Sequence, residues 1–277
     1  MLTIIKGAGD LASGIALRLF HAGFDILMTE IAAPLTVRRT VAFSRAVYEG
    51  EAIVEDVRAA LVKDEAGIQA ALESKQIAVL VDPQAAIVRR LKPPVLVDAI
   101  MAKKNTGSAM DDAPLVIGVG PGFSAGIDCH AVIETMRGHS LGRVITQGGA
   151  IPNTGVPGEI GGFSRERLLR CGADGIFQAK AAIGDSVHQG DELAAVRSAA
   201  GPVPLCAEID GVLRGLLPSG AAVCAGMKAG DIDPRCEAAH CFTVSDKALA
   251  VGGGVLEALL RFLPRGVLWG VTNSESL

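Results

Sequence analysis

Aromatic side chains are scarce in this chain: one Trp, one Tyr and 4% aromatics in all. With no basic stripe and a net charge of −4, that scarcity excludes the stacking platforms that hold single-stranded nucleic acid and the cationic surface of a duplex reader. No apolar run is long enough to span a bilayer, because glycines, prolines and charges break each candidate. The N-terminus reads as a strand carrying a single Lys, with no small-residue cleavage site, so the expectation is a cytoplasmic protein that is neither secreted nor membrane-bound. Cys-x-x-Cys is missing, and the six cysteines (129, 171, 206, 224, 236 and 241) are scattered, which suits reduced and mostly buried thiols. Also missing are a Gly-x-Ser-x-Gly elbow, a His-Glu-x-x-His helix and a Gly-Lys-Ser/Thr phosphate loop.

What the chain does have is concentrated at its start. Ile4-Ile5-Lys6 leads into Gly7-Ala8-Gly9-Asp10-Leu11-Ala12-Ser13-Gly14. This is the strand–turn–helix opening of a dinucleotide-binding unit, in the form Gly-x-Gly-x-x-Ala. Gly7 allows the tight turn, and Gly9 lets a phosphate approach the backbone. The unpaired N–H groups of the helix suit an anion. Ala12 and Gly14 are small enough for the helix to lie close on the strand. A second strand, Ile26 to Glu30, ends in an acid about twenty residues on, where a ribose hydroxyl would be bonded. Arg38-Arg39, just beyond, offers a phosphate ligand or a solvated loop.

Downstream, 56–63 and 65–74 read as helices, and the apolar runs 77–81, 95–97 and 115–119 as buried strands ending near Asp82, Asp98 and Gly118. Four or five such strands alternating with helices over the first 120 residues predict an α/β fold with an open parallel, Rossmann-like sheet. A second glycine cluster spans 118–126, with Gly120 and Gly122 as further cofactor-binding candidates. Residues 132–134 and 143–145 flank Gly138-His139 as a hairpin, and 148–162 form a long Gly/Pro-rich loop.

The second half repeats itself. Asp174-Gly175, Gly184, Val187 and Gly190 recur as Asp210-Gly211, Gly220, Val223 and Gly226, at a constant offset of 36 residues. Two such units predict a small all-β barrel-sandwich hybrid resembling lipoyl and biotinyl carriers. No Lys occurs from 181 to 227, so a carrier role is rejected in favour of a structural or docking module. Residues 244–263 read as a helix broken at Gly252-Gly253-Gly254, packing back on the first domain, and the tail from Asn273 as frayed. The expected domains are therefore 1–160, 161–235 and 236–277.

Asp128, His130 and Glu134 form a candidate acid–base or metal cluster, weighed evenly against an ordinary polar surface. Cys129 reads as buried rather than activated. Cys236, His240 and Cys241 lack a second ligand pair, so no metal site is assigned.

The Gly7–Gly14 turn, Val37-Arg38-Arg39 with 46–50, Asp98 to Asn105, Gly118 to Phe123, Glu134 to His139 and Gly230 to Arg235 together resemble the YqeB-type accessory proteins of selenium-dependent molybdenum hydroxylases. The resemblance spans nearly the whole length. It implies a cytoplasmic role in maturing the molybdenum cofactor or its enzyme, with a molybdenum hydroxylase or another maturation factor as partner and selenium entering only through that partner. The expected ligand is NAD(P), another nucleotide or a molybdopterin-type cofactor, held by Gly7, Gly9, Asp10, Ser13, Gly14, Glu30, Gly120 and Gly122. Asp98, Lys103, Asp128 and His130 are expected at its reacting end. An NAD(P)-dependent oxidoreductase, using His130 or Lys103, and a non-catalytic scaffold are the alternatives. The oligomeric state stays open, a homo-oligomer being allowed.

Overall fold

The computed structural model describes residues 1–155 and 158–264. The first strand, β1 (Leu2–Lys6), is followed by α1 (Asp10–His21), β2 (Asp25–Glu30), α2 (Ala46–Glu49), β3 (Glu51–Val54), β4 (Val57–Val62), α3 (Glu65–Glu73), β5 (Ile77–Val81), α4 (Ile87–Leu91), β6 (Val95–Asp98), β7 (Leu115–Val119), β8 (Ala131–Ile133) and β9 (Val144–Ile145). These strands form one nine-stranded sheet in the order β3-β4-β5-β2-β1-β6-β7-β8-β9. The inner seven are parallel, and β3 and β9 are antiparallel edges. Alternation along each strand feeds two cores. Ile5, Met28, Val79, Val97 and Ile117 join a cluster with α1, and Ile4, Leu27, Ala78, Leu96 and Val116 join another with α3 and α4. Burying one such isoleucine stabilises the fold by about 1.5–3 kcal/mol.

Residues 56–63, expected as a helix, are instead strand β4, hairpin-paired with β3 and parallel to β5. The turn places Glu55 at φ 54°. Val57, Ala59 and Val62 are buried while Arg58 is exposed, so packing on the sheet outweighs the helix propensity of Arg, Ala and Leu. The parallel sheet is also larger than the four or five strands expected. The expected hairpin around Gly138-His139 is present as β8 and β9, with Val132 opposite Ile145.

The repeat module follows: β10 (Leu168–Arg170), β11 (Gly175–Ala179), β12 (Ser186–Val187), β13 (Glu192–Ser198), β14 (Gly201–Cys206), β15 (Gly211–Leu216), β16 (Ala222–Val223) and β17 (Lys228–Asp233). It makes two four-stranded sheets, β10-β17-β15-β12 and β14-β13-β11-β16. All pairings are antiparallel and enclose a separate core around Phe177, Leu213 and Ile232. A shift of 36 residues converts one strand order into the other, and each sheet draws strands from both repeats. The hydrogen bonds repeat as well. The Gly184 amide donates to the Leu213 carbonyl, and the Gly220 amide to the Phe177 carbonyl, at 2.8 and 2.9 Å. The carboxylate of Asp210 accepts from the Gln189 amide, and that of Asp174 from the Ala225 amide, both at 2.8 Å. The recurring aspartates thus tie each repeat to a loop of the other. Gly190 and Gly226 recur because both loops need positive φ, 94° and 79°.

The C-terminal helix α5 (Asp246–Phe262) is continuous through the three glycines expected to interrupt it. Its amphipathic face buries Ala248, Val251, Val255 and Leu259 against the first core. The glycines serve close approach: a Cβ on Gly252 would lie 2.8 Å from the Gly14 carbonyl oxygen, and one on Gly254 would overlap the Gly142 carbonyl. Gly14 therefore accommodates α5, where the sequence suggested the β-strand beneath α1. Pairing of Gly14 with Ala248 and of Arg18 with Gly252 makes α1 and α5 parallel, with their N-termini side by side. The expected tail from Asn273 lies outside the described residues. No helix among them is long and apolar enough to cross a membrane.

Candidate functional site

Strand order reverses beside β1: the chain leaves β1 toward β2 and β5, then crosses to β6. Ligands of open α/β sheets bind outside the carboxyl ends of the strands at such a point. There the structure has a cavity of about 430 Å³ lined by Gly7, Gly9, Asp10, Glu30, Thr36 and the 99–101 backbone turn, among others. That volume falls within the usual range for small-molecule sites.

Four of the expected cofactor residues meet here: Gly7, Gly9, Asp10 and Glu30. Gly7 has φ 90°, which favours glycine. Gly9 is the N-cap of α1 and supplies no side-chain cap. A Cβ on Gly9 would find only the Thr36 hydroxyl, at 3.7 Å, so the space beside it is open to a ligand. Glu30 is half-buried, and burial raises its carboxyl above the ordinary value against the hydrogen bond from its neighbour Ile31.

Ser13 and Gly14 stand apart. The Ser13 hydroxyl is fully buried, donating to the Ala8 carbonyl (3.1 Å) and accepting from the Phe43 amide (2.8 Å). Gly120 and Gly122 make room for the chain itself. A Cβ on Gly120 would lie 2.9 Å from the Thr135 hydroxyl, and one on Gly122 2.5 Å from the Lys104 Cα.

The expected reacting end is dispersed. Asp98 lies at the switch point, 1% exposed, 3.1 Å from the Lys6 ammonium and 2.7 Å from the Ser108 hydroxyl that donates to it. Lys6 also donates to Ser108 at 2.8 Å. This buried triad was not anticipated; the signal was a Lys inside an otherwise apolar strand. Lys103 is exposed at φ 62°. His130 enters β8, three strands and so about 14 Å from β1, where its Nδ1 accepts the Val116 amide at 3.0 Å. Asp128 closes a local turn by accepting the Ser124 amide at 2.8 Å. Glu134 is buried, accepting amides of Met136 and Ile151. Among the described residues no group of three or more His, Cys, Asp or Glu could hold a metal ion.

Arg38 and Arg39 are engaged by the chain itself, Arg38 buried and Arg39 half-buried. Arg38 is buried, paired with Asp10 at 3.1 Å and donating to the carbonyls of His240 and Thr243. Arg39 donates to the Leu216 carbonyl at 2.8 Å. Together they strap the turn of α1 to the repeat module and the entry of α5, partners 177 to 205 residues away that spacing in sequence could not reveal.

No family model matches the chain. It is 50% identical over 266 residues to an uncharacterized protein, YqeB of Escherichia coli strain K12, an alignment covering 96% of this chain and 48% of that protein. The chain thus spans about half the length of the curated relative it matches. Among solved structures, the apo ectoine utilization protein EutE (DoeB) of Ruegeria pomeroyi aligns with TM-score 0.26 and 11% identity over 83% of this chain and 85% of that one. A succinylglutamate desuccinylase of Silicibacter sp. TM1040 aligns with TM-score 0.26 and 16% identity over 83% and 84%. An aspartoacylase family protein of Mesorhizobium loti aligns with TM-score 0.23 and 18% identity over 24% and 22%. TM-scores this low establish no shared fold.

Proposed function

On the premise that 96% of this chain is homologous to YqeB, we propose that it binds a nucleotide, or a nucleotide-bearing cofactor of the molybdopterin type, as an accessory factor in maturing a selenium-dependent molybdenum hydroxylase. The observation that carries the nucleotide is the open cavity beside Gly9 at the switch point of the sheet, which Glu30 also lines. The first turn of α1 and the Gly7–Gly9 backbone receive phosphate, and Glu30 accepts from a ribose hydroxyl. The molybdenum pathway rests on the resemblance of the motifs alone.

Binding is favoured over an NAD(P)-dependent oxidoreductase by one observation. Asp10 and Glu30 are the titratable side chains of the cavity, and neither Lys103 nor His130 reaches it. Asp10 is moreover engaged by Arg38. The two-sheet repeat module, read as a barrel-sandwich hybrid, docks the partner enzyme, and its tip at Ser198 to Gly201 carries no lysine to modify.

The experiment is a thermal-shift series of the full chain with NAD, NADP, ATP, CTP and a molybdopterin nucleotide, beside Gly9→Arg. A ligand at a hundred times its Kd raises stability by about 2.7 kcal/mol, and the variant loses that gain while keeping its fold. A gain retained by Gly9→Arg moves the ligand elsewhere, and no gain with any ligand leaves the scaffold reading.

A further inference from the structure

Around the strap, acidic and basic side chains are matched one to one. Asp10 pairs with Arg38 (3.1 Å), Asp231 with Arg167 (3.1 Å), Asp233 with Arg235 (2.6 Å) and Asp246 with Arg137 (2.6 Å). Arg214, on β15, is the fifth arginine. It is 9% exposed, and its Nε is buried without a hydrogen-bond partner among the described residues. Its nearest carboxylate oxygens, Oδ2 of Asp233 and Oδ2 of Asp231, stand 3.7 and 3.9 Å away, beyond hydrogen-bond distance; Arg235 holds the first, and Arg167 holds the other oxygen of Asp231. His240 is a second unsatisfied group: its Nδ1 is buried without a hydrogen-bond partner, 3.9 Å from Asp233. Lys228, 4.0 Å from Asp231, adds further positive charge.

Both orphaned side chains line one cavity of about 220 Å³, together with Arg235, Thr243, Ser245 and Asp246. The N-terminus of the 17-residue helix α5 opens into it and adds the positive end of its dipole. A buried guanidinium with five donors and no acceptor is costly unless something accepts from it. Asp246 also lines the cavity, but Arg137 neutralises it. Burial first, and the Arg38 charge second, push the Arg214 guanidinium below its ordinary value against the opposing charges of Asp231, Asp233 and Asp10.

We propose that this cavity is an oxyanion site that takes a phosphate group, with Arg214 and His240 as its ligands and Arg235, Thr243 and Ser245 at its walls. The site is distinct from the Gly9 cavity and separated from it by the Asp10–Arg38 pair. It stands whether or not a nucleotide binds at Gly9.

The test is a titration of the full chain with inorganic phosphate and with glycerol phosphate, against chloride at matched ionic strength. The expected result is a saturable rise in Tm, about 5–10 °C at a hundredfold excess over Kd. Arg214→Met abolishes the rise and Gly9→Arg retains it. A rise with both compounds identifies a free oxyanion as sufficient; a rise with the ester alone identifies a phosphate monoester. No rise with either, or a rise that survives in Arg214→Met, overturns the proposal. If Arg214→Met does not fold, the wild type decides by NMR. His240 ring resonances that shift saturably with phosphate support the site, and resonances that stay fixed overturn it.

Discussion

Gly14 of α1 and Ala248 of α5 meet so closely that a Cβ on the glycine would lie 2.6 Å from the alanine Cβ and 3.0 Å from its carbonyl carbon. The alanine backbone cannot yield without moving a 17-residue helix. Gly14→Val is therefore expected to destabilise the chain by about 1–3 kcal/mol, although valine has the better intrinsic helix propensity. Urea unfolding reads this as a lower midpoint at unchanged m-value. A midpoint equal to or above wild type would show that α5 can slide.

Asp233 and Asp246 are the carboxylates held well below their ordinary value, and Asp233 is the buried one. Burial alone would raise its carboxyl, but hydrogen bonds and charge from Arg235, with Arg214 behind, hold it at about 2. The unfolded value is about 3.9. Such a depressed group contributes its full stability above the unfolded value and loses it as pH falls through the folded one, a term on the order of 2 kcal/mol. Arg235→Gln should move the acid-unfolding midpoint, followed by circular dichroism between pH 5 and 1.5, to higher pH. The move should be smaller than complete loss of the pair implies, since Arg214 remains 3.7 Å from Asp233. An unchanged midpoint would remove Asp233 from the acid transition.

Thiol labelling separates the six cysteines. Cys206, Cys224 and Cys236 are exposed, while Cys129, Cys171 and Cys241 are buried. Burial pushes the Cys129 thiol up to about 11 and raises the other two buried thiols as well. At pH 8 a disulfide reagent should titrate three thiols of the folded chain rapidly and the other three only in denaturant. A fourth rapid equivalent would mean that one of the buried thiols becomes accessible.

Much of the architecture was legible in local patterns. The apolar runs at 77–81, 95–97 and 115–119 became central parallel strands, and the 36-residue offset marked the unit that builds both small sheets. Strand β4 was not legible, because Val57-Arg58-Ala59-Ala60-Leu61-Val62 suits a helix until β3 and β5 flank it. At the candidate site, Gly7, Gly9 and Glu30 carry their geometry in short-range spacing. The strap of Arg38 and Arg39 depends on chain segments about 180 and more residues apart meeting in space, which no local spacing encodes. Glycines divide the same way. Gly7 answers to its own turn, whereas Gly14 and Gly254 answer to a helix placed by the far end of the chain.

Since β12 completes the sheet of β15 and β17, and β16 completes that of β11 and β13, a lone repeat would expose unpaired strand edges along both sheets. Its natural remedy is a second identical copy, related by a twofold axis and trading the same strands. The module thus has the strand exchange of a symmetric dimer within one chain, with the turn at Ser198 to Gly201 joining the two repeats. At the 36-residue offset the buried guanidinium of Arg214 on β15 corresponds to Gln178 on β11, a place where the twofold relation of the two repeats is broken.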